Sequence, residues 1–77
     1  MGGWKNKATW QVVIHIGNTP ETYFQAVDFM STYKGRTPYQ DFVDAYGYIS
    51  TFDGGLFNDP TLSKSELNWF MRDLVAK

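Results

Sequence analysis

Apolar side chains recur at intervals of three and four residues in three stretches of the chain, which is the spacing of one face of an α-helix. Polar residues such as Asp44 and Arg72 fall on the opposite faces. The pattern therefore predicts three amphipathic helices. Their apolar stripes are Tyr23, Ala26, Val27, Met30 and Tyr33; then Tyr39, Phe42, Val43 and Tyr46; then Leu67, Phe70, Met71 and Leu74.

Residues that typically begin and end helices lie at the boundaries of these stripes. A hydroxyl residue at a helix start can accept a backbone N–H, and proline fits the first helical position because its missing N–H costs nothing there. Glycine is favoured just beyond the last turn. The predicted starts are Thr19-Pro20, Thr37-Pro38 with Gln40 completing a capping box, and Ser63 with Glu66; the predicted stops are Gly35 and Gly47.

The stretch before the first of these helices has two interpretations. Trp10, Val12, Ile14 and Ile16 alternate as in a β-strand, and the run is rich in β-branched residues. As a helix, the same run has Thr9 as its N-cap and Gly17-Asn18 as its stop. Periodicity alone does not separate the two in so short a run.

Residues 48–62 form the least regular part, where Asp53-Gly54-Gly55 has the composition of a hairpin turn. Residues 1–7 are expected to be a flexible N-terminus. The 77 residues suffice for one domain, which spans residues 1–77. We therefore predict a mainly α domain of three to four short helices with an irregular or hairpin segment at about 48–58. The alternative is an α+β fold with a strand at 10–16.

The composition excludes several kinds of site. The chain has no Cys and one His, so it has neither a thiolate zinc site nor a multi-histidine metal site. Its glycines fit neither dinucleotide nor P-loop spacing. We expect no cofactor, no metal and no enzymatic activity. No apolar run approaches the length of a membrane span, so we expect a cytoplasmic protein that does not bind membranes.

Two features could indicate a chemical site, but a structural or surface role is favoured for each. His15 is the one side chain with an ordinary pKa near neutrality, but it lies between Ile14 and Ile16, which indicates a structural histidine at the edge of the core. The span from Thr37 to Ser63 contains no Lys or Arg and carries acidic residues without calcium-loop spacing, so solvated surface is favoured. Those residues are Asp41, Asp44, Asp53 and Asp59.

Aromatic residues are the one feature in excess, at 18% of the chain. A domain of this size can hardly bury all of its rings, and contiguous exposed aromatic area usually marks a contact site. We therefore predict a surface that binds another protein or a second copy of the chain. Its predicted residues are the rings in irregular segments and two nearby acids: Trp4, Tyr48, Phe52, Phe57, Asp53 and Asp59.

The alternative function is weak binding of single-stranded nucleic acid. Aromatic rings can stack on bases, but such sites need interleaved basic residues. The chain offers Lys34 and Arg36 near Tyr33 and Tyr39, and Lys5 and Lys7 beside Trp4. With a formal net charge of −1, we expect no tight binding to nucleic acid.

The first part of the chain, roughly residues 6–24, has a characteristic order of residues: Thr9-Trp10, an apolar run to Ile16, Asn18 and the early helical Tyr23. This opening resembles that of a family of small, uncharacterised phage and phage-related proteins. The chain departs from many members at His15 and Gly17. The resemblance implies a phage setting, and hence a host or phage protein as the expected partner. It also implies a helical first segment, and it implies no activity.

Overall fold

The computed structural model describes residues 3–76, which form a mainly α-helical domain. The four helices of this part of the chain are α1 (Lys7–Asn18), α2 (Pro20–Thr32), α3 (Pro38–Tyr46) and α4 (Lys64–Asp73). The predicted mainly α class is thus confirmed. The alternative α+β fold is wrong, because residues 10–16 lie inside α1.

The first segment is a helix because its cap and its burial pattern both agree with helical spacing. Asn6 is the N-cap, and its Oδ1 accepts the Thr9 N–H at 2.9 Å and the Thr9 hydroxyl at 2.7 Å. The prediction of Thr9 as N-cap was therefore three residues late. Val12, Val13 and Ile16 are buried, and these positions share one face of a helix but not of a strand.

The remaining helix boundaries were predicted correctly at most positions, but the capping chemistry differs. Ser63 Oγ accepts the Glu66 N–H at 3.4 Å, as predicted, but the capping box is not completed, because the Ser63 N–H donates to Thr9 Oγ1 at 2.9 Å. Thr19 and Thr37 occupy the N-cap positions, yet neither makes a capping side-chain bond within residues 3–76. Each is followed by a proline whose fixed φ suits the first turn, so the ring rather than the hydroxyl favours the start.

Glycine ends only one of the two helices for which it was predicted. Gly47 caps α3 in the left-handed conformation, with φ of +71°. Gly35 is not the cap of α2, because that helix ends at Thr32 and its C-cap Tyr33 is extended. A side chain at position 35 would instead clash with the Tyr33 ring, which lies over this glycine.

Side chains from all four helices and from the segment between α3 and α4 share one core. α1 packs on α2, α3 packs on α4, and α4 also contacts α1 and α2. Burial of this apolar surface is the main favourable contribution to folding. The buried apolar residues are Val12, Val13, Ile16, Ala26, Met30, Tyr39, Phe42, Val43, Phe57, Leu62, Leu67 and Met71.

The described part of the N-terminal segment is anchored to the domain. The Lys5 N–H donates to Glu66 Oε1 at 2.8 Å, and Asn6 Nδ2 donates to the Thr61 carbonyl at 2.6 Å. Trp4 packs against the core beside Phe70. The expected flexible N-terminus of residues 1–7 therefore needs correction from Trp4 onward, and Met1 and Gly2 lie outside the described residues.

Candidate partner-binding surface

The predicted turn between α3 and α4 is a short hairpin. Ser50 and Leu56 form an antiparallel pair, flanked by backbone hydrogen bonds from Thr51 N–H to the Gly55 carbonyl at 2.8 Å and from Phe57 N–H to the Ile49 carbonyl at 3.0 Å. Its turn includes a glycine at position 54 with φ of +94°, a conformation that side chains disfavour. The hairpin comprises residues 48–57.

The turn is stabilised from within by a buried hydroxyl. Thr51 Oγ1 accepts the Gly55 N–H at 2.8 Å and donates to Asp53 Oδ1 at 2.6 Å. The bond from Thr51 is the main reason that the pKa of Asp53 lies below its ordinary value. A Cβ at Gly55 would lie 2.9 Å from both Thr51 Oγ1 and Gln11 Oε1, so the glycine permits close packing of the turn on α1.

Two aromatic residues of the hairpin attach it to the core. Phe57 is fully buried, and the Tyr39 hydroxyl donates to its carbonyl oxygen at 2.7 Å. Tyr48 is half-buried and stacks on Phe57 with centroids 5.1 Å apart. Phe57 was predicted as a partner-binding ring; this is corrected, because a fully buried ring offers no surface to a partner. Tyr48 likewise acts mainly as an anchor.

His15 connects the hairpin to α1. Its Nδ1 accepts the Phe52 N–H at 3.1 Å, and its ring lies 5.2 Å from the Phe52 ring and 5.5 Å from the Phe57 ring. Burial lowers the pKa of His15, and the nearby Asp53 carboxylate partly opposes this shift. A neutral imidazole keeps a lone pair on Nδ1 and can therefore accept this hydrogen bond. The contacts place His15 at the edge of the core, in the structural role that the sequence predicts.

Three large apolar side chains of the hairpin are exposed. Ile49 is 76% exposed, Phe52 is 67% exposed and Leu56 is 48% exposed. We call these three residues the hairpin surface. Phe52 was predicted from the sequence as a partner-binding residue. Ile49 and Leu56 were missed, because the prediction was confined to aromatic rings and two acids.

The two predicted acidic residues of this surface have different surroundings. Asp53 is exposed in the hairpin turn, beside Phe52. Asp59 is half-buried and accepts the Thr61 N–H at 2.7 Å. Its pKa is lowered chiefly by the hydrogen bond from the Thr61 side chain, so Asp59 orders the chain before α4. Asp53 alone remains placed to contact a partner of the hairpin surface.

The other acids of the span from Thr37 to Ser63 take local hydrogen bonds. Asp41 accepts the Tyr33 hydroxyl, and Asp44 accepts the Gln40 amide at 3.0 Å. Within residues 3–76, no group of three or more His, Cys, Asp or Glu side chains is arranged to hold a metal ion. Also within these residues, no helix is long and apolar enough to cross a membrane.

Trp4, the remaining predicted ring, lines a groove away from the hairpin. Its indole lies 6.3 Å from that of Trp69, with the planes tilted by 55°, and it packs edge-on against Phe70 at 6.1 Å. The groove has a volume of about 430 Å³ and is lined by Gly3, Trp4, Ser65, Glu66 and Trp69. Trp4 precedes α1, whereas the hairpin contacts the later turns of that helix at Gln11 and His15. We call this feature the Trp4–Trp69 groove.

The first of the two basic clusters suggested for nucleic-acid binding, Lys34 and Arg36, lacks free stacking partners. Lys34 and Arg36 are exposed, but the adjacent Tyr39 is fully buried. The Tyr33 ring stacks on Phe29 at 5.1 Å, and its hydroxyl is bonded to Asp41. These rings are already engaged inside the domain, so this cluster is poorly suited to binding bases.

Comparison with known proteins returns no match to a family model, to a curated protein or to a solved structure.

Proposed function

We propose that this protein acts by binding another protein through the hairpin surface, without catalysing a reaction. The observation that carries the proposal is the exposure of Ile49, Phe52 and Leu56 within one eight-residue stretch. Single exposed apolar residues are normal on a protein surface. A group of them on one ordered element is typical of a contact site.

The construction of the hairpin supports this role. Phe57 and Tyr48 fix its base in the core, and His15 holds Phe52 through the backbone. Partner binding by such a surface costs little ordering entropy, because the exposed side chains stand on a backbone that is already folded. Asp53 at the turn adds a charge that favours a basic residue at the rim of the partner.

The proposed setting is the cytoplasm of a phage-infected cell. It rests on the resemblance of residues 6–24 to small phage proteins, which often act by occupying a host factor. The partner is thus proposed to be a host or phage protein. The alternative is that a second copy of the chain binds the hairpin surface, and the experiments have to distinguish these two partners.

The test compares capture by three tagged proteins from host lysate, with and without nuclease treatment. These are the wild type, a variant with Ile49→Ser, Phe52→Ser and Leu56→Ser, and the control Phe24→Ser. Phe24 is a matched control because it is 67% exposed, as Phe52 is, but lies on α2. Circular dichroism verifies that each protein is folded before capture is quantified by mass spectrometry.

We expect the wild type and the Phe24 variant to retain the same partner, and the hairpin variant to lose it by at least about tenfold, which corresponds to 1.4 kcal/mol. Retention should persist from roughly 0.15 M to 1 M salt, since apolar burial is little screened. Equal capture by all three proteins would contradict the proposal. Capture that nuclease abolishes would favour the nucleic-acid alternative.

Self-association is tested separately by sedimentation velocity of the purified protein. A wild-type dimer that the hairpin variant converts to monomer would identify the second copy as the occupant. A monomer at all concentrations, together with specific capture from lysate, supports the proposed heterologous partner.

A further inference from the structure

The Trp4–Trp69 groove has the composition of a site for an organic cation. Its walls include two indole rings. The Trp69 side chain is 60% exposed, although tryptophan has one of the largest apolar surfaces to bury. Its volume of about 430 Å³ lies in the range of small-ligand pockets. This groove shares no residue with the hairpin surface, so an inference from it stands apart from the proposed function.

A carboxylate gives the groove its charge preference. Glu66 lines it from the first turn of α4, and one of its oxygens accepts the Lys5 N–H at 2.8 Å. This bond fixes the carboxylate beside the two rings. Its negative charge lies near the N-terminus of α4, where the positive end of the helix dipole stabilises it. Lys5 is exposed, so solvent and salt screen its ammonium.

The tilt between the two indole rings further restricts the kinds of ligand that fit the groove. A nucleobase between two rings needs nearly parallel faces, whereas these planes are tilted by 55°. The two centroids are 6.3 Å apart, so the rings contact each other and a ligand rests on them rather than between them. A rounded cation can contact both indoles where they line the groove, because the negative face of an indole attracts such a cation. Trp4 is held in place by its edge-on contact with Phe70 and by the anchored backbone of Lys5.

We propose that the Trp4–Trp69 groove binds a methylated ammonium group, with the two indoles contacting the methyl groups and Glu66 balancing the charge. Such a group occurs in free choline-type molecules and in trimethylated lysine side chains. Both present the same weakly hydrated cation, and their relative affinities identify the source.

The experiment follows tryptophan fluorescence during titration with choline, and with its uncharged isostere, in which a carbon replaces the nitrogen. The proteins are the wild type, Trp69→Ala, Glu66→Gln and the control Phe52→Ala, whose residue lies on the hairpin surface. A trimethyllysine peptide, its unmethylated counterpart and a mononucleotide complete the set of ligands. Because Trp69→Ala removes a fluorophore, isothermal calorimetry measures the affinity of that variant.

We expect saturable choline binding in the wild type and in Phe52→Ala. Trp69→Ala should weaken it by about 2- to 30-fold, the range that corresponds to a cation–π contribution of 0.5–2 kcal/mol. Glu66→Gln should weaken it by up to about 5-fold, which corresponds to about 1 kcal/mol for an ion pair near the surface. Tighter binding of the trimethyllysine peptide than of choline would assign the site to a protein ligand, and the reverse to a free small molecule.

Three outcomes would overturn the proposal. Absence of saturable binding by both choline and the trimethyllysine peptide would remove the site. Equal affinity for the uncharged isostere would show a merely apolar groove. Tighter binding of the mononucleotide, unaffected by Glu66→Gln, would show that the indoles stack on bases. None of these outcomes bears on the hairpin surface, whose variants are tested independently.

Discussion

The hydrogen bond between α3 and the hairpin offers a sharp test of how the hairpin is attached. Tyr39→Phe removes one oxygen and leaves the ring in place. The lost bond joins the Tyr39 hydroxyl to the Phe57 carbonyl at 2.7 Å, and both residues are fully buried. Burial also raises the pKa of Tyr39 well above its ordinary value, so the hydroxyl stays protonated as a donor.

The expected loss of stability comes from the Phe57 carbonyl, which stays buried after its hydrogen-bond donor is removed. A buried carbonyl left without its partner costs about 1–3 kcal/mol. For a domain of this size, each kcal/mol lowers the melting temperature by roughly 4–8 °C. Tyr39→Phe should therefore lower it by roughly 4–24 °C. Urea unfolding should show a lower midpoint with an unchanged slope, because the surface exposed on unfolding is the same.

Tyr33→Phe is the matched control. The Tyr33 hydroxyl also makes hydrogen bonds, donating to Asp41 and accepting the Thr37 N–H at 3.1 Å, but these lie at the surface. Water replaces them, so the cost should stay below about 1 kcal/mol. A Tyr39→Phe protein that melts like the wild type, or a Tyr33→Phe protein that loses as much, would refute the reasoning.

Three further predictions concern His15 and the helix ends. Because burial lowers the pKa of His15, the unfolded chain binds the proton more readily, so stability should be full above about pH 6.5 and fall as the pH drops below it; urea unfolding between roughly pH 5 and 7.5 should show this slope, and His15→Gln should flatten it. Asn6→Ala should cost about 1 kcal/mol through loss of the N-cap, whereas Thr37→Ala should cost less, and equal thermal shifts would contradict the capping assignment. Gly47→Ala should destabilise by about 1–2 kcal/mol because of its left-handed φ, while Gly17→Ala, inside α1 with open space around it, should stabilise by up to about 1 kcal/mol; melts that rank these two variants the other way would refute this.

The helices could be predicted from sequence because their signals are local. Leu67 and Met71 recur at helical spacing after Ser63, and the structure reproduces both the cap and the buried face. In the first segment, local propensity favoured a strand, whereas Asn6 as N-cap and the burial of Val12, Val13 and Ile16 give a helix. Tertiary packing overrides β-propensity there.

The surfaces could be predicted only in part, because exposure depends on contacts between distant residues. Phe52 and Phe57 both lie in an irregular segment, yet one is exposed and the other is in the core. What separates them is the antiparallel pairing of residues 50 and 56 and the bond from Tyr39. The Trp4–Trp69 groove likewise joins residues that lie 65 positions apart in the sequence.

The central claim, that the hairpin surface binds a partner protein, is tested most directly by a nuclear magnetic resonance titration. Isotope-labelled protein is mixed with the captured partner, and the shift of each backbone amide is followed. We expect the largest changes within residues 49–56, and little change at Phe24 or near Trp69. Largest changes at Lys34 and Arg36 or in the groove, with residues 49–56 unaffected, would contradict it.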